Sequence, residues 1–157
     1  MSRALRHLTA RGLIFMTLMP AIATANEPTI RNPPGLFDPT AFGYSQAVIA
    51  PAGGRLAFIS GQGGADGQGA LSPDFAAQVK QAYANLRTAL DAVGAKPNQV
   101  VKLTIFVVDH DPSKLGVLTS QVIETFGEAR PAQTLVPVPR LALDGMLFEV
   151  EAVAVVE

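Results

Sequence analysis

The sequence predicts an α+β domain in which a mixed β-sheet carries two helices on one face. Two amphipathic helical repeats alternate with apolar, β-branched runs, giving the order β-β-α-β-α-β-β. The run VVKLTIFVV at residues 100–108 is apolar on both faces, as a strand covered from both sides is. A strand–helix–strand step within one sheet takes a right-handed crossover, which sets both helices on the same side.

The 157-residue length fits one domain behind a leader. Arg3, Arg6 and Arg11 form a basic start, residues 13–19 a short apolar run, and Ala23-Thr24-Ala25 an A-x-A cleavage pattern. Residues 1–25 therefore read as a secretory signal, with Asn26 as the new terminus and a periplasmic or secreted product expected. The run is too short to span a bilayer, which takes about 20 residues, and Pro20 interrupts it, so no membrane attachment is expected after cleavage. Residues 26–41, with Pro28, Pro33, Pro34, Gly35 and Pro39, read as an extended N-terminal arm, leaving 42–157 as the domain.

Residues 44–49 and 55–60 read as two strands, with hairpin chemistry at Pro51, Gly53 and Gly54 between them. SGQGGADGQGA, residues 60–70, lacks the Gly-Lys-Ser/Thr ending of a phosphate loop and reads as a mobile surface loop near a cleft. A helix follows: Ser72 can cap it, Pro73 suits its first turn and Asp74 complements its dipole. Phe75, Val79, Ala82, Leu86, Leu90 and Val93 give it one apolar face, and Gly94 closes it. Asp111-Pro112 starts the second helix, with Leu115, Leu118, Val122 and Phe126 as its buried stripe. Residues 133–138 and 146–156 complete the sheet, and Pro137 and Pro139 place the former at an edge or a strand end. No element is left to cover the second face of the sheet, so a symmetric homo-oligomer is the expected form.

Composition removes several chemistries. With no cysteine there is no disulfide, thiolate nucleophile or cysteine-based metal site, and two histidines, one in the leader, make a multi-histidine site hard to build. Removing three of the 12 basic residues with the leader leaves 9 against 13 acidic, a net charge of −4, the wrong sign for a nucleic-acid partner.

Six motifs then fall in a telling order: Tyr44-Ser45-Gln46, Phe58-Ile59-Ser60-Gly61-Gln62, Gln78 with Asn85, the strand at 101–107, Arg130-Pro131-Ala132-Gln133-Thr134, and Glu149-Val150-Glu151-Ala152. Together they resemble the Rid (RidA/YjgF) family. The resemblance implies a chorismate-mutase-like (YjgF/L-PSP) fold and a homotrimer whose sheets line a central barrel, with small-molecule clefts between subunits. Its deaminase branch hydrolyses enamines and imines such as 2-aminoacrylate, with no metal or organic cofactor. That chemistry needs a cation to grip the substrate carboxylate and a carboxylate to place water and move protons.

By resemblance, Tyr44 is the cleft tyrosine, Ser60 and Gly61 the cleft wall, and Glu149 the acidic residue beside the water. Gln133 stands where the deaminases carry the carboxylate-binding arginine, Leu135 where many members have cysteine, and Ser120 where many have asparagine. Glutamine donates hydrogen bonds without charge, and charge-assisted bonds are about twice as strong as neutral ones. Arg130 lies at an odd offset from Gln133, which on an extended chain points it to the other face. Glu149 and Glu151 share a face, where a solvated role or an ion pair with Lys102 is the alternative. His110 reads as solvated or capping. The sequence therefore suggests a Rid-type protein acting on imine, enamine or related amide-bearing metabolites, distinct from the classical 2-aminoacrylate deaminases. A non-catalytic small-molecule binding module and a chaperone-like structural oligomer are the competing readings.

Overall fold

A computed structural model describes residues 27–157; the expected signal and the Asn26 terminus lie outside the described residues. The elements are β1 (Thr29–Arg31), β2 (Ala47–Ile49), β3 (Arg55–Gly63), α1 (Phe75–Ala92), β4 (Val100–Val108), α2 (Leu115–Phe126), β5 (Ala132–Val138) and β6 (Phe148–Val156). The main sheet runs β3-β6-β4-β5, with β6 antiparallel to both neighbours and β5 parallel to β4. Among the described residues no helix is long and apolar enough to cross a membrane.

One pairing differs from expectation. The segment at 44–49 does not form a hairpin with β3: β2 pairs antiparallel with β1, inside the arm. The cause is Ser45, which bridges to Ala132 at the start of β5, the opposite edge of the sheet from β3. The arm is thus partly regular structure. Strands β5 and β6 are not neighbours, because β4 lies between them. The edge position that Pro137 and Pro139 suggest for β5 is observed.

Helix α1 is capped by Asp74, whose side chain accepts from the Ala77 N–H at 2.8 Å, while Ser72 only accepts from the Asp74 N–H. At the other end Gly94 takes φ +72, its N–H donates to Asp91, and the Ala95 N–H donates to Leu90, a Schellman closure. Val79, Ala82, Leu86 and Leu90 are buried as expected; Val93, at the cap, is largely exposed. Asp111 accepts from the Ser113 N–H, a short 3-10 turn follows, and α2 buries Leu118, Val122 and Phe126. Leu115 is half in solvent. Both helices cover the face of the sheet carrying Leu103, Ile105, Val107, Phe148, Val150 and Ala152.

Tyr83, absent from the apolar stripe, is among the largest fully buried side chains. It stacks on Phe148 at 5.8 Å and meets Phe126 edge-on at 6.2 Å. Its hydroxyl is buried without a partner, and burial pushes its pKa up from 10.0. A raised folded pKa gives stability that is complete below 10.0 and is lost as pH rises beyond it. Tyr83→Phe, which deletes an unsatisfied polar group, is expected to stabilise by about 1 kcal/mol at neutral pH. It should also flatten the alkaline fall in thermal stability; a steeper fall would contradict this.

The opposite face is open. Phe58 is 75% and Leu56 53% exposed there, alongside Lys102, Thr104, Phe106, Glu149, Glu151 and Val153. Among the described residues nothing supplies the second cover that β4 wants.

Candidate functional site

A cleft of about 320 Å³ opens on the helix side of the β5 edge, lined by Tyr44 and Gln133 among others. Its construction starts at Ser45, which is 1% exposed. The Ser45 hydroxyl donates to the Arg130 carbonyl at 2.6 Å, and its N–H donates to that of Pro131 at 3.1 Å. Arg130 takes φ +25 to present that carbonyl, a conformation uncommon outside glycine. Tyr44 is thereby fixed beside the start of β5. Gln133 pairs in register with Leu103, whose side chain is buried toward the helices, so Gln133 shares that side.

Ile105, Leu118 and Leu135 form apolar walls, and Thr119 adds a hydroxyl. The arm closes the rim: Phe37 and Phe42 also line the cleft, their ring centroids 5.5 Å apart. Gln46 holds the arm there, its Nε2 donating to the Phe37 carbonyl and its N–H to Asn32, both at 2.8 Å. Gly43, with φ +78, lets the chain turn so close to α2 that an added Cβ would stand 2.9 Å from Ile123. Among the described residues no lysine, arginine, histidine or acid lines the cleft. Gln133 Oε1 is buried and unpartnered, and among the described residues its Nε2 makes no hydrogen bond.

The other expected residues sit elsewhere. Glu149 alternates with the buried Phe148 and Val150, and so faces the open side, registered with Phe106 and Gly63. Its carboxylate lies over Gly61, where an added Cβ would stand 2.3 Å from Oε1. Ser60 lines a separate shallow depression with Phe58, Lys102, Thr104 and Glu151. A β-bulge in β3 between Ile59 and Gln62 shapes this wall. The partner of Lys102 is not Glu149: its ammonium donates to Thr134, burial draws its pKa down, and Glu151 opposes that shift. Ser120 is exposed and outside the cleft, while Thr119 beside it lines the wall. Arg130 is tied to Glu128 at 2.7 Å and is not part of the lining. Arg140 is exposed near Asp144, and His110 lies in the turn after β4 with Nδ1 buried and unpartnered. Within one chain, then, Tyr44 and Gln133 meet, Gly61 and Glu149 meet, and the sheet separates the pairs.

The glycine-rich loop is held rather than loose. Asn85 Nδ2 donates to the carbonyls of Gly63 and Ala65, both at 2.9 Å, and its Oδ1 accepts from Gln81. Gln78, fully buried, donates to Ser72 and Gly145 and accepts from the Leu147 N–H. Asn85 thus clamps the end of β3 and the start of the loop to α1, and Gln78 ties α1 to the segments at Ser72 and at Gly145 and Leu147. The phenylalanines of the cleft were not among the residues the motifs single out; a Phe-x₄-Phe spacing in a proline-rich arm was their only sequence trace.

The family model described as endoribonuclease L-PSP matches residues 38–156. A RutC family protein of Pyrococcus horikoshii is 36% identical over 114 residues, covering 71% of this chain and 85% of that protein. A 2-iminobutanoate/2-iminopropanoate deaminase of Salmonella typhimurium is 32% identical over 136 residues, 85% of this chain and 95% of that protein. The crystal structure of a conserved Rid family protein of unknown function from Yersinia pestis superposes with a TM-score of 0.78 at 34% identity, covering 83% of this chain and 99% of that one.

Proposed function

Because the chain belongs to the Rid (endoribonuclease L-PSP) family, we propose that it is a cofactor-independent hydrolase of uncharged imines or enamines, working in clefts shared between copies of itself. The observation that carries this reading is the Gln133 side chain, whose unpaired amide faces a cleft with no charged lining. A 2-imino acid entering there would lose its carboxylate's water without gaining a cation, and an ion buried unpaired costs several kcal/mol. An uncharged substrate escapes that cost. Tyr44 and Gln133 would orient it, and Glu149 would hold the attacking water and pass its proton to the leaving amine.

Glu149 reaches such a substrate only from another chain, since the sheet stands between it and Gln133 in its own. The open face supplies a reason for chains to meet: Phe58 and Leu56 offer apolar surface around Lys102 and Glu151. A homotrimer is the assembly this reading adopts. Phe58→Asp, which places a charge in that surface, is expected to shift the protein to monomer in light scattering. An unchanged mass would count against this face as the contact.

The decisive assay compares ammonia release from freshly generated 2-iminopropanoate and from its uncharged methyl ester. The ester should be hydrolysed above the buffer rate and the acid should not, and Glu149→Gln should abolish the difference from buffer. Hydrolysis of the acid alone would overturn the reading. Ligand-dependent stabilisation without any turnover would make the protein a binding module instead.

A further inference from the structure

Resting on the reading that the Tyr44–Gln133 cleft receives the ligand, we propose that it selects a carboxamide or lactam edge joined to an apolar ring. The amide pairs with Gln133 and the ring lies against Phe37 and Phe42. A side-chain amide presents one acceptor and two donors in a plane. Among the described residues none of these is used at Gln133, and Oε1 is buried without a partner. A buried acceptor left unpaired is unfavourable, so the site is completed by a molecule bringing an N–H. The planar complement of an amide is a second amide with its N–H and C=O on one edge, which forms two parallel N–H···O bonds. Exchanging the oxygen and nitrogen of Gln133 produces the same pairing, so the match does not depend on which way the amide is turned.

A carboxylate fits the same edge poorly. It has two acceptors and no donor, so one of its oxygens would confront Gln133 Oε1, and no cation lines the cleft to offset the contact. The rest of the lining specifies the body of the ligand. Ile105, Leu118 and Leu135 offer only carbon, and the rings of Phe37 and Phe42 stand 64% and 44% exposed at the rim, tilted 46° to each other. Exposed aromatic faces held in place by a hydrogen-bonded arm suit a flat apolar group. The volume of about 320 Å³ accommodates one ring with a short substituent.

Titration calorimetry on the full chain, using benzamide, benzoate, N,N-dimethylbenzamide and acetamide as probes, tests this. Benzamide should bind, and N,N-dimethylbenzamide, which has no N–H, should bind about ten-fold or more weakly. Gln133→Leu, checked for folding by its thermal transition, should erase that difference. Phe37→Ala should weaken benzamide and leave acetamide, which has no ring, unchanged. Benzoate binding as tightly as benzamide would overturn the proposal, as would an absence of benzamide binding into the millimolar range. The two readings fail separately. Amide discrimination without imine hydrolysis refutes the hydrolase and upholds the recognition; hydrolysis without discrimination refutes the recognition alone.

Discussion

Replacing Gln133 by arginine is expected to admit short 2-keto and 2-imino acids, raising affinity for pyruvate by about thirty-fold to several-thousand-fold. The range follows from about 2–5 kcal/mol for a desolvated charge-paired hydrogen bond, at 1.4 kcal/mol per decade. The cleft favours the variant's guanidinium because, among the described residues, no acid in the lining competes for it. Its position on β5, in register with Leu103, aims it inward from a fixed strand. A guanidinium would also meet a carboxylate with two bonds at once, where the natural glutamine meets one of its oxygens with another acceptor. Calorimetry with pyruvate reads the binding step, and ammonia release from 2-aminoacrylate, expected to be absent in the natural chain, reads the chemistry. Binding restored without turnover would place the fault at Glu149 or in the assembly. A folded variant that binds pyruvate no better would show that position 133 does not face the ligand's acid group.

Gly64→Ala is expected to destabilise the domain by about 2–4 kcal/mol, enough to lower the melting temperature by roughly 10 °C. The added methyl would stand 2.5 Å from Gln78 Cα and 2.7 Å from its carbonyl oxygen, both backbone atoms of α1 that no rotamer change can move. Relief requires the loop and helix to part. That would stretch the three bonds of the buried Gln78 amide and the two from Asn85 to Gly63 and Ala65. Gly67→Ala is the control. It lies in the same loop with nothing within 4 Å of the added atom, and should change stability by less than about 0.5 kcal/mol. Equal denaturant midpoints for the two variants would mean the loop is not packed on α1.

Local chemistry accounts for what was readable in the chain. The periodicity of Val79, Ala82, Leu86 and Leu90, the glycine at 94 and the prolines near the β5 edge each act within a few residues, and each stands as expected. The misread features are decided at a distance. Residues 44–49 carry hairpin chemistry toward β3, yet one buried hydroxyl, on Ser45, ties them to a carbonyl 85 positions away. Tyr83 escaped the apolar stripe because its hydroxyl reads as polar, although its ring fills the centre of the core. The family motifs picked out Tyr44, Gln133, Gly61 and Glu149, but alternation along β5 and β6 had to be combined with strand order before their separation was visible.

That separation has a genetic consequence. With Tyr44 and Gln133 on one side of the sheet and Gly61 and Glu149 on the other, each cleft of the proposed assembly would draw its halves from different chains. A chain spoiled at Tyr44 and a chain spoiled at Glu149 would each be inactive alone. Produced together, they would form mixed assemblies in which some boundaries join two intact halves. Alleles of the two classes would therefore complement one another in the same cell, whereas two alleles of the same class would not.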